Sequence, residues 1–465
     1  MTTIIQEHPV LFLETAEPVQ TADTQEQVVS PPLTAATIDI KVFNSTDVVV
    51  EEVIEPRSID STISDADMSQ TDSFVPSRAS SATSLASTAT NVSEASTAPS
   101  TVGDDTSYQE EKPTVIEETV PEPTYSALLI TPERGYELVS SFPAPTAASL
   151  APTEVMIRNK ATGLNHIDWM SVAYNFCLPS LPWVTGREMA GVVEAVGSDV
   201  SGVKPGDAVW TTTYYKDRRA GCFQDLVVVP QHTVFPIPTT LDFHTAACLG
   251  VAGVTAAMTL WQWLNVPMAR STEAPSETSE KEKEVLLVWG GSTVTGQFAI
   301  QLAAQAGLEI VAVCSTATAD LVRSRGATHV VTYTGKTDMH VIGEILCCSG
   351  GRLTRAIDLV GAKTAKLVLQ VIAASGRTVD FAPLAFMSSK DVVPANVRVH
   401  TVEIKQFVLN EASGVYGQRL NELVASGAVL LPAVRVLEGG LAAVEQGLAM
   451  VKEGNLDGKK LVVAF

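Results

Sequence analysis

The chain has 465 residues, 45% of them hydrophobic, with 52 acidic side chains against 31 basic ones and a formal net charge of −21. That length and apolar content supply a large core and two or three domains, which excludes a wholly disordered chain. The charge is uneven: residues 1–124 hold 22 Asp and Glu against four Lys and Arg, so the other 341 residues carry only −3 and the acidity says nothing about what the folded part binds.

Residues 1–124 are rich in Ser, Thr, Pro and acids and show almost no sustained apolar period, as in 77–105. Such a segment buries too little apolar surface to offset its ordering entropy and is expected to be disordered, although 39–55 can pair as strand. The first residues lack the basic and apolar regions of a secretory signal and are too acidic for a mitochondrial leader, so the cytoplasm is the expected location. Six cysteines (Cys177, Cys222, Cys248, Cys314, Cys347 and Cys348) are scattered without metal-ligand spacing, and no metal site is expected.

From Tyr125 the pattern changes to short alternating runs at 154–165, 191–200, 203–211 and 222–238, separated by Gly, Pro and Asp, which predict a compact β domain. The apolar run 249–266 approaches the length of a membrane span, but Thr255, Thr259, Gln262 and the absence of basic flanks favour a buried helix. A polar insertion at 268–283 follows. From Glu284 to Pro383 strands and helices alternate, which predicts an α/β unit with a doubly wound parallel sheet. Residues 441–465 read as an amphipathic helix and a strand that can return to the β domain.

The first strand–helix junction of the α/β unit is Gly290, Gly291, Ser292, Thr293, Val294, Thr295, Gly296. Gly290 and Gly291 suit a tight turn, and Gly296 suits close helix–strand packing. The peptide N–H groups of Ser292 to Thr295 and their hydroxyls then face an anion such as a pyrophosphate, with the Thr293 hydroxyl in place of the usual glycine contact. Glycine-rich junctions also occur in proteins that bind no nucleotide. The second strand ends in Cys314, Ser315, Thr316, Ala317 and Thr318 with no carboxylate before Asp320. Hydroxyls donate to a 2′-phosphate that a carboxylate repels, and Arg323 or Arg325 can add charge, so NADPH is expected over NADH. The same Ser and Thr can also cap the next helix.

Together with 163–169, 186–209, 320–333 and 454–463, this order of motifs resembles the medium-chain dehydrogenase/reductase superfamily over residues 125–465. The resemblance implies a GroES-like catalytic domain at 125–262, a Rossmann NADPH-binding domain at 263–384, and remaining Rossmann elements with a terminal return to the catalytic domain at 385–465. Zinc-dependent members carry cysteine and histidine where this chain has Asn165 and Arg187, so the zinc-free branch is implied, as in quinone reductases and fungal trans-acting enoyl reductases. Carried over residue by residue, Tyr333 packs at the adenine side, Phe381 and Ala382 lie beside the nicotinamide, and Leu456 and Asp457 close over the cofactor. His166 and Asp168, as catalytic candidates, face the substrate cleft with Asn165, Ile167, Gly250, Val251, Ala252, Gly253, Val254, Thr255, Ala256 and Ala257. Each of these can also be packing. Tyr214, Tyr215 and Lys216 are candidates to polarise a carbonyl or gate the site, and Lys216, Arg218 and Arg219 can attract a phosphopantetheine arm or form a solvated loop.

The implied activity is zinc-independent, NADPH-dependent reduction of an activated carbon–carbon double bond. Quinone reduction and a non-catalytic partner role are the alternatives. The implied substrate is a small molecule or a carrier-bound group, with a polyketide synthase as partner and no nucleic acid or membrane.

Overall fold

The computed structural model describes residues 11–15, 38–43, 48–49, 124–214, 216–268 and 282–465. Strands β1 (Leu11–Thr15), β2 (Ile38–Phe43) and β3 (Val48–Val49) form a three-stranded antiparallel sheet. β3 falls within 39–55, where pairing is expected, and β2 begins one residue before it, whereas β1 is paired backbone where composition predicts none. The rest of the acidic tail, with its expected disorder, lies outside the described residues.

Strands β4 (Thr124–Ile130), β5 (Tyr136–Pro143) and β6 (Glu154–Gly163) precede helix α1 (His166–Tyr174). Then come β7 (Trp183–Val184), β8 (Glu188–Val196), β9 (Ala208–Thr212), β10 (Leu226–Pro230) and β11 (Val234–Pro236). Period-two alternation makes β6 two-sided: Val155 and Ile157 join Val193, Val209 and Val227, while Met156 packs with Leu226 and Val228 on the other face.

The apolar stretch Phe243–Trp263 is long and apolar enough to cross a membrane by composition, yet it lies mostly buried in the fold. It comprises α2 (Phe243–Ala246), a π-helical turn over Leu249–Gly253, α3 (Val254–Met258) and a second π turn over Thr259–Trp263. The regular helix expected here is wound wider twice, and the first widening frees Val251 N–H to bond outside the helix.

The α/β unit follows as β12 (Val285–Trp289), α4 (Val294–Gln305), β13 (Glu309–Cys314), α5 (Ala319–Ser324), β14 (His329–Thr332), α6 (Asp338–Ser349), β15 (Leu353–Asp358), α7 (Ala362–Ser375), β16 (Val379–Pro383) and β17 (Val397–Val399). All six strands are parallel in the order β14-β13-β12-β15-β16-β17, the doubly wound arrangement. Helices cover both faces, so β12 is apolar throughout: Leu286 and Val288 face Phe298 and Ile300 of α4, while Val285 and Leu287 face Val341 of α6 and Val368 of α7.

The chain closes with α8 (Gln406–Leu409), α9 (Gly414–Ala425), β18 (Val434–Leu437), α10 (Val444–Glu453) and β19 (Lys460–Ala464). β19 runs antiparallel to β6 and parallel to β18, within the sheet order β11-β9-β8-β6-β19-β18. The terminal strand therefore does return to the β domain. Phe298 is fully buried where α4, α3 and α9 meet. Phe298→Ala is expected to destabilise the protein by about 3–5 kcal/mol, read as a lower urea midpoint.

Candidate active site

β12 ends in a turn that Thr293 closes. Its backbone N–H donates to Gly290 O at 3.0 Å, its hydroxyl donates to the same oxygen at 2.9 Å, and its Oγ1 accepts from Gly296 N–H at 3.0 Å as the N-cap of α4. This corrects the expectation that the Thr293 hydroxyl reaches a pyrophosphate: the cap uses it. Val294 and Thr295 keep first-turn N–H groups that no helical carbonyl can reach, and the Ser292 and Thr295 hydroxyls bond no described residue, so these four groups are the ones open to an anion, a candidate anion-binding set. Gly296 is required by close approach, since a Cβ there would lie 2.4 Å from Gly290 O.

The carboxyl ends of β13 and β14 bring the second predicted cluster together. Ser315 Oγ lies 3.0 Å from Thr318 Oγ1, Thr316 N–H donates to Thr334 Oγ1 at 3.1 Å, and Tyr333 N–H donates to Cys314 O at 3.2 Å. Thr316 and Ala317 are exposed, and so is the Tyr333 side chain. Arg323 points to solvent in an i,i+3 pair with Asp320 at 2.6 Å, an arrangement that leaves most of its charge available. Arg325 is corrected: its guanidinium turns inward to Gln297 Oε1 (3.1 Å) and Leu431 O (3.2 Å), away from the hydroxyls.

The terminal loop reaches the same turn. Gln297 Nε2 donates to Ser292 O at 3.1 Å and to Gly458 O at 2.7 Å, which holds the Leu456–Asp457 segment beside the anion-binding set. A Cβ on Gly458 would meet Ser292 O at 2.9 Å and Leu321 Cδ2 at 2.5 Å.

Two residues further on, Lys460 enters the catalytic domain, where it is buried and ion-paired with the buried Glu188. Lys460 Nζ also donates to Asn165 Oδ1 at 2.6 Å, Asn165 Nδ2 donates to Glu188 Oε1 at 2.8 Å, and Val251 N–H donates to Glu188 Oε2 at 2.6 Å. Glu188 and Lys460 were not singled out from sequence. A charged residue opening each of two largely apolar strands, Glu188–Val196 and Lys460–Ala464, is the local signal, and burial of both charges is explained by their pairing.

Asn165 also caps α1 at its N-terminus, and Asp168 Oδ2 accepts its N–H at 2.9 Å. Asp168 is wholly enclosed, its other oxygen bonds no described residue, and burial pushes its pKa up to about 7 against the opposing charges of Arg187 and then Lys460. It is therefore a buried capping carboxyl and does not face an open cleft. His166 keeps an exposed edge and accepts from Trp169 Nε1 at 3.3 Å; crowding of its ring, then the Lys460 charge, lower its pKa.

Tyr214 is half-buried, and burial first and Cys177 second raise its pKa against the charge of Arg187. Arg187 thus stands within electrostatic reach of both Asp168 and Tyr214. Tyr215 lies outside the described residues. Lys216 is exposed, whereas Arg219 is paired with Glu154 and Asp217, both at 2.7 Å, and Arg218 lies over the Phe142 and Trp183 rings. The basic cluster is thereby corrected to a largely structural one.

Several expected cleft residues are core. Ala252, Val254, Ala256 and Ala257 pack in the main hydrophobic cluster, Gly250 and Gly253 are buried, and Val251 and Thr255 are half-buried. Val251 hydrogen-bonds the Glu188 network through its backbone, and Gly250 packs so closely on Glu188 that a Cβ there would lie 2.6 Å from the Glu188 Cβ. Phe381 and Ala382 are fully buried on opposite faces of β16, because an interior strand covered on both sides hides every side chain. Asp358, at the end of β15, was missed. Its Oδ1 accepts Val360 and Gly361 N–H, both at 3.0 Å, and Leu359 N–H donates to Trp289 O at 3.0 Å, joining the ends of β12 and β15 at the switch point of the sheet. Burial pushes its pKa up to about 6.

An alcohol dehydrogenase GroES-like domain matches residues 151–239, and a zinc-binding dehydrogenase domain matches residues 295–425. A dehydrogenase of Aspergillus niger is 30% identical over 356 residues, 74% of this chain and 99% of that protein. The chain belongs to the medium-chain dehydrogenase/reductase superfamily. A trans-enoyl reductase of Talaromyces variabilis is 29% identical over 344 residues, 67% of this chain and 89% of the relative. A quinone oxidoreductase of Pseudomonas syringae shares the fold, with a TM-score of 0.58, 22% identity and coverage of 74% of this chain and all of that one. Like other members of this superfamily, the protein is an oxidoreductase that works with a nicotinamide dinucleotide, and the open groups at 292–295 fit its pyrophosphate.

For zinc the fit fails. Asn165 is held by Glu188 and Lys460, Arg187 is a cation, and no cluster of three or more His, Cys, Asp or Glu suited to a metal exists among the described residues.

The raised pKa of Asp168 has a consequence for stability. Between about pH 4 and pH 7 the folded state holds a proton that the unfolded state releases, so this carboxyl makes stability fall as pH rises. Asp168→Asn should remove that slope, on the order of 1 kcal/mol per pH unit at most, relative to wild type in urea titrations across the window.

Proposed function

We propose that this oxidoreductase is a metal-independent, NADPH-dependent reductase of activated carbon–carbon double bonds, acting in the cytoplasm on an enoyl thioester or enone. The observation that carries the reading is the chemistry at the two ends of the site. Uncharged Ser315 and Thr318 hydroxyls stand where a carboxylate would select NADH, and Asn165 and Arg187 stand where a metal would need cysteine and histidine. The name trans-enoyl reductase, borne by relatives from several fungi, supports an enoyl group as substrate; that a polyketide synthase delivers it on a carrier is part of the proposal.

A reduced dinucleotide, held through its pyrophosphate at the glycine turn, would supply the hydride when bound. Ser292, Val294 and Thr295 hold the pyrophosphate, and Ser315, Thr316 and Thr318 receive the 2′-phosphate with Arg323 alongside. As the β-carbon is reduced, negative charge moves onto the acceptor's carbonyl oxygen. Arg187 supplies positive potential for it, and water can protonate the α-carbon, so no dedicated acid is needed.

Assay of NADPH oxidation with enoyl thioesters, enones and quinones, before and after chelation, tests this assignment. Turnover of enoyl thioesters that survives chelation is expected. Oxidation by quinones alone would move the assignment to a quinone reductase, and cofactor binding without turnover would make the protein a non-catalytic partner. Ser315→Asp sets a carboxylate against the 2′-phosphate; a charge pair near 4 Å is worth about 4 kcal/mol at an effective dielectric of ~20, so even a screened fraction shifts the NADPH-to-NADH affinity ratio by roughly tenfold or more. Titration of both cofactors by fluorescence measures that ratio, and an unchanged value would remove the case for NADPH.

A further inference from the structure

Phe386 stands at φ 117°, whereas the other described non-glycine residues with positive φ lie between 50° and 64°, in the ordinary left-handed region. A bulky side chain persists in such a conformation only where surrounding contacts over-determine it, and residues of this kind gather at functional sites. The contacts are on the far side of the crevice. Phe386 follows β16 by three residues, at the carboxyl edge of the parallel sheet, where ligands of such sheets bind. It packs against the buried Met170–Phe176 cluster, as do Ile167, Trp169 and Tyr174, all five from α1 of the catalytic domain or the residues just after it. α1 begins immediately after Asn165, the residue held by Glu188 and Lys460.

We infer that Phe386 sets the size of acyl chain the cleft accepts, as an apolar wall against which the chain beyond the reacting double bond lies. This rests on the enoyl-reductase reading. The wall is built of Phe386, Ile167, Met170 and Phe176 and carries no charge, so it suits an alkyl chain, and the unbranched thioether of Met170 lets it adapt. Removing the ring opens the path for longer chains without touching the groups assigned to the cofactor or the carbonyl.

The test compares wild type with Phe386→Ala, Phe386→Gly, which relieves the backbone conformation, and Phe386→Leu, which keeps an apolar side chain should the smaller variants fold poorly. Reduction of crotonyl, hexenoyl and decenoyl thioesters is measured beside calorimetric binding of the matching saturated thioesters, which needs no turnover. The expected result is a decenoyl-to-crotonyl kcat/KM ratio raised roughly tenfold or more in the Ala and Gly variants, a smaller rise for Leu, and the same order in binding. An equal loss for every chain length, or an unchanged ratio in a wild type that reduces enoyl thioesters, overturns the inference and leaves Phe386 as a clasp between domains. Chain-length-dependent binding altered by the variants, in a protein that reduces none of the three, supports the size-selecting role and sinks only the reductase assignment.

Discussion

The buried pair of Glu188 and Lys460 is the constraint around which the catalytic end of this protein is organised. Two charges removed from water destabilise a fold unless each is paired and its remaining hydrogen-bonding capacity filled. Here Glu188 receives Lys460, the Asn165 amide and the Val251 N–H, and Lys460 adds the Asn165 carbonyl oxygen. Four segments are thereby held at one point: β8, the start of α1, the π turn of the long apolar helix, and the terminal strand β19. Displacing β8 or β19 strands a charge in the interior, and displacing the start of α1 or the π turn leaves part of the pair's hydrogen-bonding capacity unfilled.

That point is coupled to the cofactor turn by a very short piece of chain. Gly458, two residues before Lys460, rests on Ser292 and shares the Gln297 amide with it. The group that fixes Asn165 and the group that shapes the pyrophosphate turn are therefore parts of one segment, anchored at both ends. The same loop carries Leu456, which packs against the hydrophobic cluster of Tyr125, Leu164 and Val444 in the catalytic domain.

The charges of the site are set against one another at close quarters. Arg187 and Lys460 face Glu188 and the enclosed Asp168, whose carboxyl is easier to protonate than usual because burial outweighs both cations. The anion-binding turn uses no charged side chain at all, only first-turn N–H groups and hydroxyls, an arrangement open to a pyrophosphate because the helix terminus already favours negative charge.

Much of this was readable locally. The apolar run of β12, the glycines after it, the alternation through β16 and the hydroxyls ending β13 are short-range patterns, and backbone geometry converts them directly into a doubly wound sheet with a dinucleotide turn. Asn165 and Arg187 were likewise visible as poor metal ligands from residue type alone. What only the tertiary structure decided depends on partners far apart in the chain or on which face is covered. Lys460 meets Asn165 across 295 positions, so nothing near either residue announces the pair. The direction of Arg325, the use of the Thr293 hydroxyl as a cap, the enclosure of Asp168 and the core positions of Phe381, Ala256 and Ala257 follow from packing. A hydroxyl, a carboxyl or an aromatic ring has the same identity whether it faces a ligand or a neighbouring strand, and burial settles which.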